Sequence, residues 1–260
     1  MKKIGFIGMG NMATSIVGGC VNSKWIDASN IYAYDIDQIK LQTIHEQYHI
    51  NVAINEQEID VVNQVDIIVL AIKPNVVESV IKKIKDSLDN KVVVSIVAGY
   101  DFNKYQELLL ATTRHISVMP NTPALVKQGM TLLEKENTLT KEEMEFVSSM
   151  FASFGKVEVL PSYQMKAGGA ISGCGPAFVY MMIEALADGG VKQGLPRDVA
   201  YRLASQTIIG AGTMQRETNI HPAILKDNVC SPGGITIKGV QALEDHNFRA
   251  AVIAAIEKSS

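Results

Sequence analysis

Lys3-Ile4-Gly5-Phe6-Ile7-Gly8-Met9-Gly10-Asn11-Met12-Ala13 decides the fold. An apolar, strand-like run enters Gly-x-Gly-x-x-Ala, and residues 13–21 then read as helix. In such a loop the first glycine, Gly8, permits a tight turn, and the second, Gly10, lets backbone approach a pyrophosphate. The small third residue, Ala13, lets the helix pack close on the strand. Free N–H groups and the positive end of the helix dipole then face the phosphates. The pattern gains weight from a second strand ending in an acid roughly 20 residues on. Asn30-Ile31-Tyr32-Ala33-Tyr34-Asp35 meets that condition, and Asp35 is the candidate partner for the ribose hydroxyls.

Outward from this unit, residues 1 to about 100 alternate strand and helix patterns. A helix is expected over 36–48 and a short strand near 50–53. Val65-Asp66-Ile67-Ile68-Val69-Leu70-Ala71-Ile72 is nearly all apolar and β-branched, as a strand covered on both faces should be. Lys73-Pro74 follows, with Pro74 able to open a helix over 76–88. Further strands are expected at 91–96 and 115–119, then at 129–134 and 156–160 around a helix starting near Thr140. Thr140-Lys141-Glu142-Glu143 has the form of a capping box. The expected fold class is α/β, a Rossmann-type, doubly wound parallel sheet with its ligand crevice at the carboxyl ends of the strands. That crevice takes in 8–13, 35–37, 71–74, 97–99 and 119–124.

Beyond Pro161 the strand pattern stops. Helices are expected at 162–171, 175–192, 197–216, 221–229 and 233–257, giving an all-helical C-terminal domain at 161–260 after a dinucleotide-binding domain at 1–160. This second segment is rich in glycine and alanine, including Gly168, Gly169, Gly210 and Gly212. A helical glycine costs about 1 kcal/mol against alanine, so close helix approach is the expected compensation, and a homodimer built through this domain is inferred.

Composition sets the outer limits. The chain has 260 residues, 47% of them hydrophobic, with a formal net charge of −3. That balance carries no nucleic-acid footprint, and no basic run points to a membrane surface. No uninterrupted apolar run of membrane-spanning length is read, nor a signal peptide. Three well-separated cysteines (Cys20, Cys174, Cys230) make a disulfide framework unexpected, and a cytoplasmic location is the expectation. His45-Glu46-Gln47-Tyr48-His49 matches a zinc-protease pattern, but lies on a crossover helix and is followed at once by a strand. A solvated helix face is expected there, and no metal site. Ser231-Pro232-Gly233-Gly234-Ile235-Thr236 has the form of a second anion site, with two glycines at the start of the last helical run. A capping turn without ligand fits the spacing equally well.

Several runs together resemble the pyrroline-5-carboxylate reductase family. They are Ser117-Val118-Met119-Pro120-Asn121-Thr122-Pro123-Ala124, Ser172-Gly173-Cys174-Gly175-Pro176-Ala177, and Leu225-Lys226-Asp227-Asn228-Val229-Cys230-Ser231-Pro232-Gly233-Gly234-Ile235-Thr236. The resemblance covers nearly the whole chain. It implies reduction of the cyclic imine L-1-pyrroline-5-carboxylate to L-proline with NAD(P)H, in a homodimer or larger homo-oligomer. Carried onto this sequence, it implies that Gly8, Gly10, Asn11, Met12 and Ala13 cradle the pyrophosphate. Asn55, Ala71, Lys73 and Pro74 would line the adenosine side and the crevice, with Ala98 and Gly99 nearer the nicotinamide. Ser231, Gly233, Gly234 and Thr236 would hold the substrate carboxylate, with the Thr236 hydroxyl near the imine nitrogen as the catalytic group. Two features depart from the family pattern. Cys174 and Cys230 stand where serine is familiar, and Asp35 stands where many relatives carry Ser, Asn or Arg. Asp35 could accept both ribose hydroxyls and would repel a 2′-phosphate, with only Lys40 nearby to compensate, so the expected preference is NADH.

Overall fold

The computed structural model describes residues 2–54 and 57–260. The chain forms two compact units, Met1–Gly173 and Cys174–Ser260. In the first, strands β1 (Ile4–Ile7), β2 (Ile31–Tyr34), β3 (Asn51–Val52), β4 (Ile67–Leu70), β5 (Val92–Ser95), β6 (Arg114–Met119), β7 (Gly129–Glu134) and β8 (Gly155–Leu160) make one sheet of order 3-2-1-4-5-6-7-8. Helices α1 (Asn11–Asn22), α2 (Gln38–Tyr48), α3 (Glu58–Gln64), α4 (Val77–Ile84), α5 (Phe102–Leu108), α6 (Lys141–Ala152) and α7 (Ser162–Gly169) accompany it.

Both faces of the central strands β1, β4 and β5 are buried, which explains their continuous apolar runs. Ile4, Phe6, Ile67, Val69, Val92 and Val94 point into one core with Ile16, Val17, Leu41, Phe151 and Phe154. Their neighbours Ile7, Ile68, Leu70 and Val93 point into the other, with Val61, Val62, Val77, Ile81, Ile84 and Tyr105. A period of two in which both phases are apolar therefore marks a sheet wrapped on both sides.

The sheet departs from the all-parallel expectation at its far edge. β6 and β7 are antiparallel, and β8 is parallel to β7. The link from β6 to β7 is a short 3-10 turn, Thr122–Val126, rather than a crossover helix. A parallel neighbour needs a crossover of a dozen or more residues, so the chain turns back instead. α6 then provides a full crossover to β8. It starts as the sequence predicts, with Thr140 Oγ1 accepting from Glu143 N at 3.2 Å and Glu143 Oε2 accepting from Thr140 N at 3.0 Å. The helix expected at 36–48 begins at Gln38, capped by Asp37. The one expected at 76–88 is α helix only to Ile84 and continues as a 3-10 turn, Lys85–Leu88. α3 and α5 were not expected; each has seven residues.

α7 packs on the sheet of its own unit. A Cβ on Gly169 would overlap Met119 Sδ, and one on Gly168 would come within 2.6 Å of Leu160 Cδ1, so the glycine pair permits the close approach. The helix then widens through a π segment, Ala170–Cys174.

The second unit is helical: α8 (Gly175–Lys192), α9 (Arg197–Thr218), α10 (Pro222–Val229), α11 (Ile235–Asp245) and α12 (Phe248–Ser259). The single run expected at 233–257 is broken at Asn247, which takes a left-handed φ of 57°. Within this unit the buried side chains are the alanines 187, 200 and 204. Met181, Leu203, Ile209 and Ile253 are more than half exposed. The helical run Ser162–Lys192 is long and apolar enough, by length and composition, to cross a membrane. The sequence reading does not see this run, because Lys166, Glu184 and Asp188 punctuate it.

Candidate active site

Gly8 leaves β1 with φ +93°, and a Cβ there would stand 2.5 Å from the Ala71 carbonyl oxygen. Only glycine fits that turn. Its N–H donates to Tyr34 O at 2.8 Å, which pins the loop to the end of β2. Gly10 is the N-cap of α1 and offers no side-chain cap, and no acid stands in the first turn. A Cβ on Gly10 would meet nothing of the chain within 4 Å. The space beside it, in front of a bare helix N-terminus, suits an anion that must approach the backbone closely. Asn11 is exposed, Met12 half-buried, and Ala13 buried against the sheet.

Asp35, at the end of β2, accepts Met9 N–H at Oδ2 (2.6 Å) and Asp37 N–H at Oδ1 (2.9 Å). The acid therefore braces the glycine loop as well as facing the crevice. A cleft of about 700 Å³ opens here, lined among others by Gly8, Gly10, Asp35, Ala71 and Lys73. Its place, at the carboxyl ends of β1, β2 and β4, is the switch point where such sheets take dinucleotides. Pro74 begins a 3-10 turn, Pro74–Val76, that leads into α4. Ala98 and Gly99 follow β5, with Gly99 at φ +77° and its carbonyl accepting from Lys104 Nζ. Asn55, the other expected lining residue, lies outside the described residues.

The cleft wall also holds a group that sequence reasoning missed. Glu58 is 5% exposed and receives Lys83 Nζ at 2.8 Å. Burial alone would push the Glu58 carboxyl up, but the bonds from Lys83, its own N–H and the Tyr34 hydroxyl hold it below the usual range. The Tyr34 phenol is pushed up by burial and by the Glu58 carboxylate. Ile36, 87% exposed, and Val76 give the same cleft an apolar rim. The residues span 34 to 83, and no local motif joins them.

The second expected anion site lies within the helical unit. Ser231 to Gly234 form a turn in which Gly234 N donates to Ser231 O at 3.0 Å and Gly233 has φ +70°. Gly234 is the N-cap of α11, with no side-chain cap and no acid in the first turn. Thr236 stands in that first turn and is half-buried. A Cβ on Gly233 would meet nothing within 4 Å, and one on Gly234 would overlap Ser231 Oγ, so the uncapped start of α11 is bordered by the Ser231 hydroxyl and suits a carboxylate.

His45 and His49 do not share a helix face. α2 ends at Tyr48, His49 is a left-handed C-cap, and His45 Nδ1 lies 2.8 Å from Ile50 O. The three cysteines are free thiols, and burial pushes the Cys20 thiol up.

A family model described as pyrroline-5-carboxylate reductase dimerisation matches residues 162–260, and one described as NADP oxidoreductase coenzyme F420-dependent matches 3–99. The chain is similar to the pyrroline-5-carboxylate reductase of Escherichia coli, with 42% identity over 258 residues, 99% of this chain and 95% of the relative. It is 40% identical over 262 residues to that of Arabidopsis thaliana, covering 99% and 94%. Among solved structures, the Plasmodium falciparum pyrroline carboxylate reductase with NADP bound superposes with a TM-score of 0.90. It is 34% identical, over 99% of this chain and 95% of that one. With two open helix starts at the expected motifs and similarity along its whole length, the chain belongs to the pyrroline-5-carboxylate reductase family.

Proposed function

We propose that this chain reduces L-1-pyrroline-5-carboxylate to L-proline with NAD(P)H, the last step of proline synthesis. The observation that carries this reading is 42% identity to a pyrroline-5-carboxylate reductase across 99% of the chain. Residues 1–160 hold the dinucleotide, and residues 161–260 hold the substrate and form the homodimer.

NAD(P)H, when bound, supplies the hydride. Gly8 and Gly10 keep side chains out of the pyrophosphate's path, and the N–H groups of Asn11, Met12 and Ala13 face it. Ala71, Lys73 and Pro74 border the adenosine side, and Ala98 and Gly99 lie towards the nicotinamide. Ser231, Gly233 and Gly234 take the substrate carboxylate through backbone N–H groups. The Thr236 hydroxyl sits beside the imine nitrogen and passes it a proton relayed from water. A protonated cyclic imine is already a strong electrophile, so the protein's task is chiefly orientation and needs no covalent nucleophile.

Thr236→Ala is expected to lose most of the turnover while dinucleotide affinity, read by fluorescence titration, is kept. Unchanged turnover would remove Thr236 from the mechanism. The Asp35 carboxylate favours NADH by accepting ribose hydroxyls and repelling a 2′-phosphate. A higher kcat/KM with NADPH would overturn that preference and direct attention to Lys40 and Lys73, which line the same cleft.

The exposed apolar surface of the helical unit, including the run Ser162–Lys192, fits a second copy of the chain better than a lipid phase. The dimerisation family model begins at residue 162 and takes in the whole of this run. A cytoplasmic enzyme, with neither nucleic acid nor membrane among its partners, agrees with the net charge of −3.

A further inference from the structure

Asn121 is a buried amide, 6% exposed, at the carboxyl end of β6. Both ends of it are used. Oδ1 accepts Met130 N–H at 2.8 Å, and Nδ2 donates to the Ser172 carbonyl at 2.8 Å, 51 residues away. Ser172 lies in the π segment Ala170–Cys174 and is the residue four before Pro176. A proline has no N–H to return to the carbonyl four residues back, and its ring crowds that carbonyl. The helix answers with widened turns, and Asn121 supplies the donor that Pro176 lacks. Gly169 against Met119 of β6, and Gly168 against Leu132 and Leu160 of β7 and β8, bring the helix close enough for this bond to form.

We infer that Asn121 is a positioning residue for the reaction: its amide latches the crevice segment 119–124 to the Ser172 carbonyl, for which Pro176 offers no N–H four residues on. The inference rests on the reading above, in which the carboxyl ends of the strands hold the dinucleotide. The latch fixes the far side of that crevice, away from the pyrophosphate loop. Loosening it therefore affects turnover more than dinucleotide affinity.

The test is a double-mutant cycle between positions 121 and 176 in the full-length protein. Asn121→Asp keeps the acceptor for Met130 N–H but sets a carboxylate against the Ser172 carbonyl. It is expected to lower kcat/KM for L-1-pyrroline-5-carboxylate about tenfold, while the dinucleotide Kd moves less than about twofold. Pro176→Ala restores an N–H four residues after Ser172, so in that background Asn121→Asp is expected to cost no more than about threefold. Equal losses in both backgrounds, or a Kd change as large as the loss of turnover, would overturn the inference. Should Asn121→Asp fail to fold, Asn121→Ala, which removes the donor to Ser172 without adding a charge, takes its place in the cycle. Should the wild-type protein not reduce this imine, the reading of the reaction fails on its own. The same four proteins compared by urea midpoint then decide the latch, which predicts coupling between the two positions and is contradicted by additivity.

Discussion

A methyl group at position 8 would meet the Ala71 carbonyl oxygen and demand φ +93° of a residue with a Cβ. Left-handed backbone costs a non-glycine residue roughly 1–2 kcal/mol before any clash is counted. Gly8→Ala is therefore expected to lower the melting temperature and to weaken dinucleotide binding more than about tenfold, as it displaces the loop from β2. A titration showing wild-type affinity would contradict the role given to that turn. Asp35 works at the same scale. Because it accepts from both Met9 and Asp37, Asp35→Ala is expected to weaken NADH and NADPH alike, on top of any change in preference. Selective loss of NADH alone would mean that the brace is unimportant. The glycine loop and its acid were legible because each acts through neighbours a few residues away or at a fixed offset. Glu58, Lys83 and Tyr34 were not, since what makes them a group is the proximity of three elements. Nor does anything local in the sequence announce that Asn121 bonds Ser172.

At the scale of elements, strands and long helices were readable from periodicity, because both faces of the central strands are covered and the amphipathic helices are long. What the pattern does not contain is direction: Gly129–Glu134 reads as a strand whichever way it runs, and only the short link after β6 hints at the reversal. Seven-residue helices such as α3 and α5 carry too little periodicity to be read. The capping box of α6 was legible, and it does more than cap. Glu143 also takes Arg114 Nε on both oxygens at 2.9 Å, tying α6 to β6. Thr140→Ala is expected to cost about 1 kcal/mol, and Glu143→Ala more, since it also removes the acceptor of Arg114 Nε. Urea denaturation of the two variants checks the order.

β6 also carries a pH dependence. His115 is 2% exposed, packed against Phe102 and Tyr105 of α5, with Glu134 of β7 nearby and Thr138 Oγ1 3.3 Å from Nδ1. Burial lowers its pKa below the ordinary 6.5, against opposing pulls from the Thr113 and Phe102 backbone and from Glu134. The unfolded chain therefore takes up a proton that the native state refuses. Stability is intact above about pH 6.5 and falls as the pH drops below it. Glu143 adds a second loss at lower pH. Burial would raise its carboxyl, but Thr140 and Arg114 hold it below the ordinary 4.5, so its contribution is present above that value and disappears as acid protonates it. The urea midpoint is expected to decline from pH 7.5 to 5.5, and His115→Asn to flatten that decline. An unchanged slope in the variant would assign it to other groups.

For the whole molecule, the helical unit is the part least able to stand alone. It buries small alanines and leaves isoleucine, leucine and methionine side chains open, the signature of a surface awaiting a partner. The small-residue helices made self-association legible in the sequence, whereas the break at Asn247 was missed although the polar run Glu244-Asp245-His246-Asn247 marks it. Ile209, 60% exposed on α9, is a direct probe. Ile209→Asp is expected to shift the chain towards monomer in sedimentation velocity and to lower its melting temperature. A stable dimer with wild-type melting would place the interface elsewhere.

The most direct measurement is steady-state oxidation of NADH and NADPH, run in parallel with L-1-pyrroline-5-carboxylate and with L-proline quantified as product. The account predicts one L-proline formed per dinucleotide oxidised, with the greater kcat/KM for NADH. Tight dinucleotide binding with no L-proline formed from either would contradict it.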